Sequence, residues 1–390
     1  MTPVAPPSIS RPSDRPWSGN VNSRVRNFWQ RVSEGSQIDD LWAQFAADAR
    51  ASYGFYQSDV DWVAVQKLAP WRRPFQIARQ FFWALLLKLS PARRVLLLVA
   101  SVLFILSSLR VSIGDAFTLD VKFEWLSAAL FLLLLSLELA DKVTMKRDLE
   151  IASEIQTWLV PAHPPQVPGA DIAFATRPQN SVAGDYYDAF YPTVAAAEGG
   201  KLMLVIADVA GKSVPAALLM ATMQASLHTI AGEDAPLVDL VVRLNRYACA
   251  HSLDGRRFTT AVLSQYDPRS GNLTYVNAGH NAPLLRRIDG ALEQLDTGGL
   301  PLGIRSDVSY QTATVSLSSG DALIFYTDGV VEAFNPDGQE FGNERWLSAI
   351  RALPSSSAKE SLQFLMDRVD EFVGATRQSD DITCLVFRVT

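Results

Sequence analysis

Two uncharged apolar runs, 15 and 13 residues long, constrain the fold of this 390-residue chain more than any other feature. The first is VLLLVASVLFILSSL at 95–109, and the second is WLSAALFLLLLSL at 125–137. A bilayer core calls for about 20 apolar residues, and flanking residues extend the runs to predicted spans of about 95–112 and 123–140. The alternative is a buried helical hairpin of a soluble domain.

Basic residues outside the two runs indicate an orientation in a membrane. They precede the first run and follow the second: Arg72, Arg73, Arg79, Lys88, Arg93, Arg94, Lys142, Lys146 and Arg147. In the connecting loop, Arg110 and Lys122 are offset by Asp115 and Asp120. By the positive-inside rule, both ends of the hairpin face the cytoplasm. The sequence therefore predicts a lipid bilayer as a partner, with most of the chain on the cytoplasmic side.

The rest of the chain falls into segments of different composition. Residues 1–24 are rich in Pro and Ser and are predicted to be disordered. Residues 25–80 form a predicted cytoplasmic helical segment of unassigned role, and 81–140 the membrane hairpin. Residues 141–162 form a predicted linker or signalling helix that ends at Pro161, because Pro cannot continue a helix. Residues 163–390 are strand-rich and read as one domain.

The linker helix carries apolar residues on one stripe. They are Met145, Leu149, Ala152 and Leu159, with Gln156 among them. Such a stripe favours pairing with a second copy of the chain, although it covers barely three heptads. The 141–160 helix is therefore a candidate homodimer contact.

Charge and cysteine content exclude several classes of protein. Residues 1–150 have a net charge of +4 and residues 151–390 a net charge of −10. The acidic part is a poor nucleic-acid binder, because phosphate backbones require a basic face, but it suits a site for divalent cations. Cys249 and Cys384 are predicted to be buried free thiols, too few for a disulfide scaffold or a cysteine zinc site.

Four segments of the 163–390 domain place aspartates at the end of an apolar or aromatic run. These are SVAGDYYDAF with Asp185 and Asp188, LMLVIAD with Asp208, DALIFYTDG with Asp328, and QSDDITCLVF with Asp380 and Asp381. Strand ends on a rigid sheet hold ligands in fixed positions. Ligation by oxygen alone, without His or Cys nearby, favours hard ions such as Mg²⁺ or Mn²⁺ over zinc.

Each aspartate also has a simpler interpretation. Asp208 could cap the helix that starts near Val214, although Ser213 is better placed for this. Asp328 with Gly329 could form a hairpin turn, and the SDD segment could be a solvated loop. Four such placements in one domain are harder to dismiss. Together they favour a metal site.

Eight ordered motifs carry a resemblance to a known family. They are VAGDYYDAF, IADVAGKSVPAALLMA, RFTTAVL, LTYVNAGHNAPLLRR, GLPLGI, LSSGDALIFYTDGVVEAFN, EFGNERW and DDITCLVFRV. Together they resemble the SpoIIE-like branch of the PPM metal-dependent serine/threonine protein phosphatases. The resemblance covers roughly residues 145–390 and includes IASEIQTWLVP, which is similar to the helix that commonly precedes these domains.

The resemblance implies an α+β fold: a β-sandwich flanked by helices, here preceded by a helical region with two membrane spans. It implies two Mn²⁺ or Mg²⁺ ions held by Asp185, Asp208, Asp328, Asp380 and the carbonyl of Val209. In that family a metal-bound water attacks phosphorus directly, and two such ions lower the pKa of the water and neutralise phosphoryl oxygens. Asp208 would bridge the ions, and Asp208 and Asp328 are the predicted catalytic residues.

The resemblance also suggests partners and a location. The expected substrate is a phosphorylated signalling protein, for which an anti-sigma-factor antagonist is the candidate, at a bacterial cytoplasmic membrane. A catalytically silent, membrane-tethered module that binds a partner is the alternative. A nucleotide-binding kinase lacks support, because no G-x-x-x-x-G-K-[ST] loop occurs.

The chain departs from the family pattern at two positions. Ala183 stands where a second Gly often precedes the GDYYD motif, and Ser213 stands where GKG is common. No clear arginine lies beside the metal motifs to clamp a substrate phosphate. Lys212 is a weak candidate for that role. His280 could act as a general acid, but a hydrogen-bonded turn histidine is the favoured interpretation.

Overall fold

A computed structural model describes residues 72–390 except 108–110, 114–116, 120–122, 193–199, 212, 233–234 and 252–256. The predicted disordered segment 1–24 and residues 25–71 of the predicted 25–80 segment lie outside the described residues. The chain divides into two compact units, with the boundary between Leu139 and Ala140. Each is described by itself.

The N-terminal unit is a set of apolar helices and one short strand pair. Its elements are α1 (Arg73–Lys88), α2 (Pro91–Ser107), β1 (Val111–Ile113), β2 (Phe117–Leu119) and the start of α3 (Glu124–Leu159). The predicted extension of the first span to residue 112 is wrong, because β1 pairs antiparallel with β2. The helix that holds the second apolar run continues through the predicted linker segment and ends at Leu159.

Helices α2 and α3 contact each other through small and charged residues. The Ser127 hydroxyl donates to the Ala100 carbonyl oxygen at 2.9 Å, and both residues are fully buried. Arg93 Nη1 pairs with Glu138 Oε1 at 2.8 Å. Most of the large apolar side chains on the two helices point outward instead, and Leu132 is 65% exposed.

The C-terminal unit, Ala140–Thr390, is rich in strands. Its strands are β3 (Ala170–Arg177), β4 (Asp185–Phe190), β5 (Leu202–Val209), β6 (Thr259–Asp267), β7 (Asn272–Ala278), β8 (Leu284–Arg286), β9 (Leu292–Gln294), β10 (Gly298–Gly299), β11 (Ala313–Ser316), β12 (Ala322–Tyr326) and β13 (Ile382–Val389). Its remaining helices are α4 (Val214–Ala231), α5 (Leu237–Ala250), α6 (Asp328–Val331), α7 (Gly342–Arg351) and α8 (Ala358–Val373).

These strands form two sheets that pack face to face. One sheet has the order β10-β7-β6-β5-β4, with β11 also paired to β7, and the other has the order β3-β13-β12-β8-β9. Helices α4 and α5 share a core with the first sheet, and α7 and α8 share a core with the second. The unit is therefore a four-layer α-β-β-α sandwich, which confirms the predicted α+β fold.

Strand β5 shows why the LMLVIA run is continuously apolar. Leu204 and Ile206 face the core between the two sheets, whereas Val205 and Ala207 face the core under α4 and α5. Successive side chains of a strand point to opposite faces, so a strand covered on both sides needs apolar residues at every position. The run ends at Asp208, where the strand reaches the edge of both cores.

One helix among the described residues is long and apolar enough to cross a membrane by length and composition, and it is α4. Met220 and Leu227 of α4 are buried against the first sheet, so α4 is a core helix of the sandwich. The two helices that contain the predicted spans do not have this length and composition. Helix α2 has 17 residues, and charged residues from Glu138 onward interrupt α3. Cys384 is buried as predicted, whereas Cys249 is only half-buried.

Candidate metal centre

Asp185 and Asp208 lie side by side at the edge of the first sheet. Strands β4 and β5 pair antiparallel with Asp185 directly opposite Asp208. Residues opposite each other in a ladder point to the same face, with Cβ atoms about 5 Å apart. The register therefore brings together two carboxylates that are 23 residues apart in the chain.

Gly184 lets the loop before β4 approach the end of β5. A Cβ atom on Gly184 would lie 3.2 Å from the Val209 carbonyl oxygen and 3.7 Å from Asp208 Oδ1. A larger residue would push these groups away from Asp185. The Val209 carbonyl, a predicted ligand, therefore lies in the same small region as the two carboxylates.

Contacts from the second sheet bring the segment that contains Asp328 next to Asp185. Thr327 precedes Asp328, and its hydroxyl donates to Asp185 Oδ2 at 2.9 Å. The Thr327 backbone N–H donates to the Thr383 carbonyl at 3.0 Å. A Cβ atom on Gly329 would overlap the Asp381 carbonyl oxygen, so only glycine allows the TDG and DDIT segments to touch.

The two aspartates of the DDIT segment have different roles. Asp381 accepts hydrogen bonds from the backbone N–H groups of Gln179 and Gly184, both at 2.7 Å, and so holds the loop before Asp185. Asp380 is half-buried, and its Oδ1 accepts from the Asp381 N–H at 3.0 Å. Sequence reasoning missed the anchoring role of Asp381. The resemblance named Asp380 as the ligand, and that assignment stays a prediction.

The electrostatics of Asp185 suit a bound cation. Burial raises the pKa of Asp185 well above its usual value, and the negative charges of Asp208 and Asp381 raise it further, while Thr383 and Thr327 oppose this by hydrogen bonding. Among the described residues, no three acidic, His or Cys side chains are grouped tightly enough to hold an ion as they stand. Carboxylates repel one another unless cations lie between them, and these oxygen donors fit Mg²⁺ or Mn²⁺.

His280 is a buried bridge between the two sheets. Its Nε2–H donates to the Tyr326 carbonyl at 3.1 Å, which leaves Nδ1 to accept from the Thr260 hydroxyl at 2.8 Å. Burial lowers the pKa of His280 to about 4. The histidine is therefore neutral near pH 7 and has both nitrogens occupied. This favours the structural interpretation over a general acid.

Asp188 belongs to a different network from Asp185. Its Oδ2 accepts from the Tyr186 hydroxyl and lies 2.7 Å from His228 Nε2 on α4. The odd spacing within β4 directs Asp185 and Asp188 to opposite faces. Ser213 lies at the N-cap of α4 but makes no side-chain cap hydrogen bond, so the predicted capping role is wrong. Lys212 lies outside the described residues.

Gln156 of α3 makes two hydrogen bonds to the loop that leads to Asp185. Its Nε2 donates to the Ala183 carbonyl at 2.7 Å, and its Oε1 accepts from the Ala183 N–H at 2.9 Å. In the sequence, Gln156 is a polar residue within the apolar stripe of this helix. The polar side chain at an otherwise apolar helical position was the signal that could have revealed this contact.

Comparisons with known proteins agree with the fold. Residues 198–390 match the family described as Stage II sporulation protein E (SpoIIE). The chain is 28% identical to Protein IcfG of Synechocystis over 280 residues, covering 65% of this chain and 43% of IcfG. It is 27% identical over 248 residues to "Phosphoserine phosphatase RsbU" of Bacillus subtilis, covering 63% of this chain and 70% of RsbU.

A solved structure supports the same architecture. The SiaA-PP2C domain of Pseudomonas aeruginosa superposes with a TM-score of 0.55 at 23% identity, covering 64% of this chain and 99% of that domain. The four-layer sandwich with aspartates at its edge defines a PP2C-type (PPM) phosphatase fold. The C-terminal part of this chain is a SpoIIE-family domain of that class. The chain spans less than half of IcfG.

Proposed function

We propose that this chain is a metal-dependent protein phosphatase that removes phosphate from phosphoserine or phosphothreonine on a signalling partner. One observation carries the proposal. Asp185 and Asp208 are cross-strand partners, and Thr327 and Gly329 link them to the segments that hold Asp328 and Asp380. RsbU, a relative at 27% identity, is named a phosphoserine phosphatase.

Some residues would hold the metal ions, and others would keep the metal-binding segments in position. Asp185, Asp208, Asp328, Asp380 and the Val209 carbonyl would hold two Mn²⁺ or Mg²⁺ ions. When bound, such ions activate water and neutralise phosphoryl oxygens. Asp208, the cross-strand partner of Asp185, would hold the ions together with it. Asp381 would fix the 179–184 loop, and His280 would keep the strand edges of the two sheets together.

The test is Mn²⁺-dependent hydrolysis of an aryl phosphate by the full-length protein. We expect turnover with Mn²⁺ and none in EDTA. Absence of turnover with both Mn²⁺ and Mg²⁺ would overturn the proposal and favour the catalytically silent binding module. A phosphoprotein whose phosphorylation rises in cells that carry an Asp208 variant would identify the substrate, for which an anti-sigma-factor antagonist is the first candidate.

Membrane anchoring is part of the proposal. Large apolar side chains of α2 and α3 are exposed, among them Leu98 at 55%, Val102 at 53% and Leu135 at 64%. Contiguous apolar surfaces of this kind mark contact with a membrane or another protein. Clusters of basic residues precede the first apolar run and follow the second. They favour a bilayer, with the sandwich in the bacterial cytoplasm.

Pairing of two chains through the 141–160 helix completes the proposal. Leu149, Ala152 and Leu159 of the predicted stripe are half-buried. A second stripe is more exposed: Ile151 at 47%, Ile155 at 49% and Trp158 at 73%. Its four-then-three spacing is that of a coiled-coil seam. A dimer measured by light scattering that dissociates in an Ile155→Glu variant would support this contact.

A further inference from the structure

A guanidinium group lies against the loop that follows the proposed metal ligands. Arg257 directly precedes Phe258 and strand β6, and its Nη1 donates to the Ala210 carbonyl oxygen at 3.4 Å. Gly211 has a φ of 116°, in the region that favours glycine. A Cβ atom on Gly211 would overlap Arg257 Nη1. The glycine therefore leaves the space that the guanidinium fills.

The backbone fixes this arrangement next to Asp208. The Ala210 N–H donates to the Phe258 carbonyl at 2.9 Å. In the ladder between β5 and β6, Val209 lies opposite Thr259 and Asp208 lies opposite Thr260. Arg257 is thus two residues before the strand that pairs with the ligand segment. Its contact at Ala210 is two residues after Asp208.

Arg257 differs from four arginines of this acidic domain that pair with carboxylates. These pairs are Arg177 with Asp370, Arg287 with Asp321 and Glu293, Arg305 with Asp307, and Arg368 with Glu371. Within the described part of the chain, no carboxylate pairs with Arg257. A guanidinium has five N–H donors, and the hydrogen bond to Ala210 is long. The half-buried guanidinium retains donors for a ligand.

We propose that Arg257 binds the phosphate group of the substrate phosphoprotein, an inference that rests on the proposed function. A planar guanidinium matches the oxygens of a phosphate and can donate two parallel hydrogen bonds. A domain with a net charge of −10 repels a phosphate dianion, and Arg257 supplies local attraction beside the ligands. Tyr247 and Phe258, each 37% exposed, line the same cavity as Arg257 and offer apolar surface to the surrounding polypeptide.

The experiment uses the full-length protein and three variants. Arg257→Gln removes the charge and keeps an N–H donor. Arg257→Lys keeps the charge but removes the planar group that donates two parallel hydrogen bonds. Arg305→Gln is the matched control, because Arg305 is an exposed arginine that is paired with Asp307. Calorimetry measures binding of inorganic phosphate in Mn²⁺ and binding of Mn²⁺ alone. Steady-state kinetics with an aryl phosphate measure KM and kcat.

We expect Arg257→Gln to weaken phosphate binding and to raise KM by about tenfold to a hundredfold, as for a lost hydrogen bond between charged groups. The affinity for Mn²⁺ should stay within about twofold of wild type, because Arg257 is not a ligand. Arg257→Lys should be intermediate, and Arg305→Gln should match wild type.

The outcomes separate this inference from the proposed function. If the wild type hydrolyses aryl phosphate but Arg257→Gln leaves phosphate affinity and KM unchanged, Arg257 does not bind phosphate and the phosphatase assignment stands. If nothing is hydrolysed but phosphate binding depends on Arg257, the enzyme assignment fails alone. If Arg257→Gln does not fold, an Arg257→Lys variant with wild-type phosphate affinity overturns the inference.

Discussion

Helices α2 and α4 are similar in composition and opposite in environment. They have 17 and 18 residues, and both are strongly apolar. Helix α4 buries Met220 and Leu227 within the sandwich, where a sheet and α5 cover them. Helix α2 leaves Leu98 and Val102 exposed, and one small residue, Ala100, is its fully buried position.

The difference shows that hydropathy and length do not distinguish a helix buried in a core from an apolar helix whose side chains are exposed. Hydrophobic burial is non-directional and depends only on what covers the apolar surface. In the sandwich, protein covers α4. In the hairpin, α2 and α3 touch at Ala100 and Ser127 and through the Arg93–Glu138 ion pair, and these contacts leave most of their large apolar side chains exposed.

The largest expected effect is on catalysis in the sandwich. Asp208→Asn should lower aryl phosphate turnover by roughly a thousandfold or more, because bound ions contribute several kcal/mol to such reactions. The fold should persist, since Asp208 is half-buried at a strand end. Steady-state rates and circular dichroism measure the two quantities.

Asp188→Asn is the matched control for Asp208→Asn. Asp188 is a buried aspartate of β4 whose partners are Tyr186 and His228. The variant should lose stability, about 1–3 kcal/mol for a disturbed buried network, but retain turnover while folded. Equal turnover losses in both variants would show that aspartate substitution acts through the fold and not through the ligands.

The second effect concerns the hairpin. Leu132→Arg should oppose membrane insertion by about 3 kcal/mol, or roughly a hundredfold, if Leu132 lies near the bilayer centre. Ile288 is the control in the sandwich, where it is 70% exposed, so Ile288→Arg should change nothing. The measurement is the fraction of protein that remains in membranes after an alkaline wash. Equal fractionation of wild type and both variants in the soluble phase would place the hairpin in water.

Sequence alone predicted the parts of the sandwich that periodicity and motif spacing specify. The LMLVIA run predicted a strand that ends at an aspartate, and β5 is such a strand, covered on both faces. Strand-end aspartates predicted the convergence of Asp185 and Asp208, which the ladder register confirms. The polar Gln156 on an apolar stripe indicated that it has a partner. Which backbone groups Gln156 and Asp381 bind was not predictable, because loops bring those groups close. Sequence spacing carries no information on such tertiary contacts.

The third effect is a pH dependence of sandwich stability. The pKa of His280 is about 4 when folded, below the ordinary value of 6.5. As the pH falls, His280 is therefore protonated in the unfolded chain before it is protonated in the folded chain. The contribution of neutral His280 to the free energy of unfolding is fully present above pH 6.5 and is lost as the pH falls towards 4. At pH 5 the loss is about 2 kcal/mol.

His280→Gln tests this dependence. The variant loses the titrating group, so its free energy of unfolding should be less sensitive to pH between 6.5 and 4.5 than that of wild type. Chemical denaturation at several pH values measures the slope. His163→Gln removes an exposed histidine and should keep the wild-type slope. Parallel slopes for wild type and His280→Gln would contradict the assignment.

The smallest effect lies in α3, the helix that begins in the hairpin and ends in the sandwich unit. Gln156→Ala removes two hydrogen bonds to Ala183, worth about 1–2 kcal/mol together. Because Gly184 and Asp185 follow directly, the loosened loop should lower Mn²⁺ affinity by about threefold to tenfold. A Mn²⁺ titration of turnover measures this, with Glu154→Ala, an exposed change on the same helix, as control. A shift in Mn²⁺ affinity for Gln156→Ala alone would show that α3 acts on the ligand loop through this side chain. Equal Mn²⁺ titrations of wild type and both variants would show that it does not.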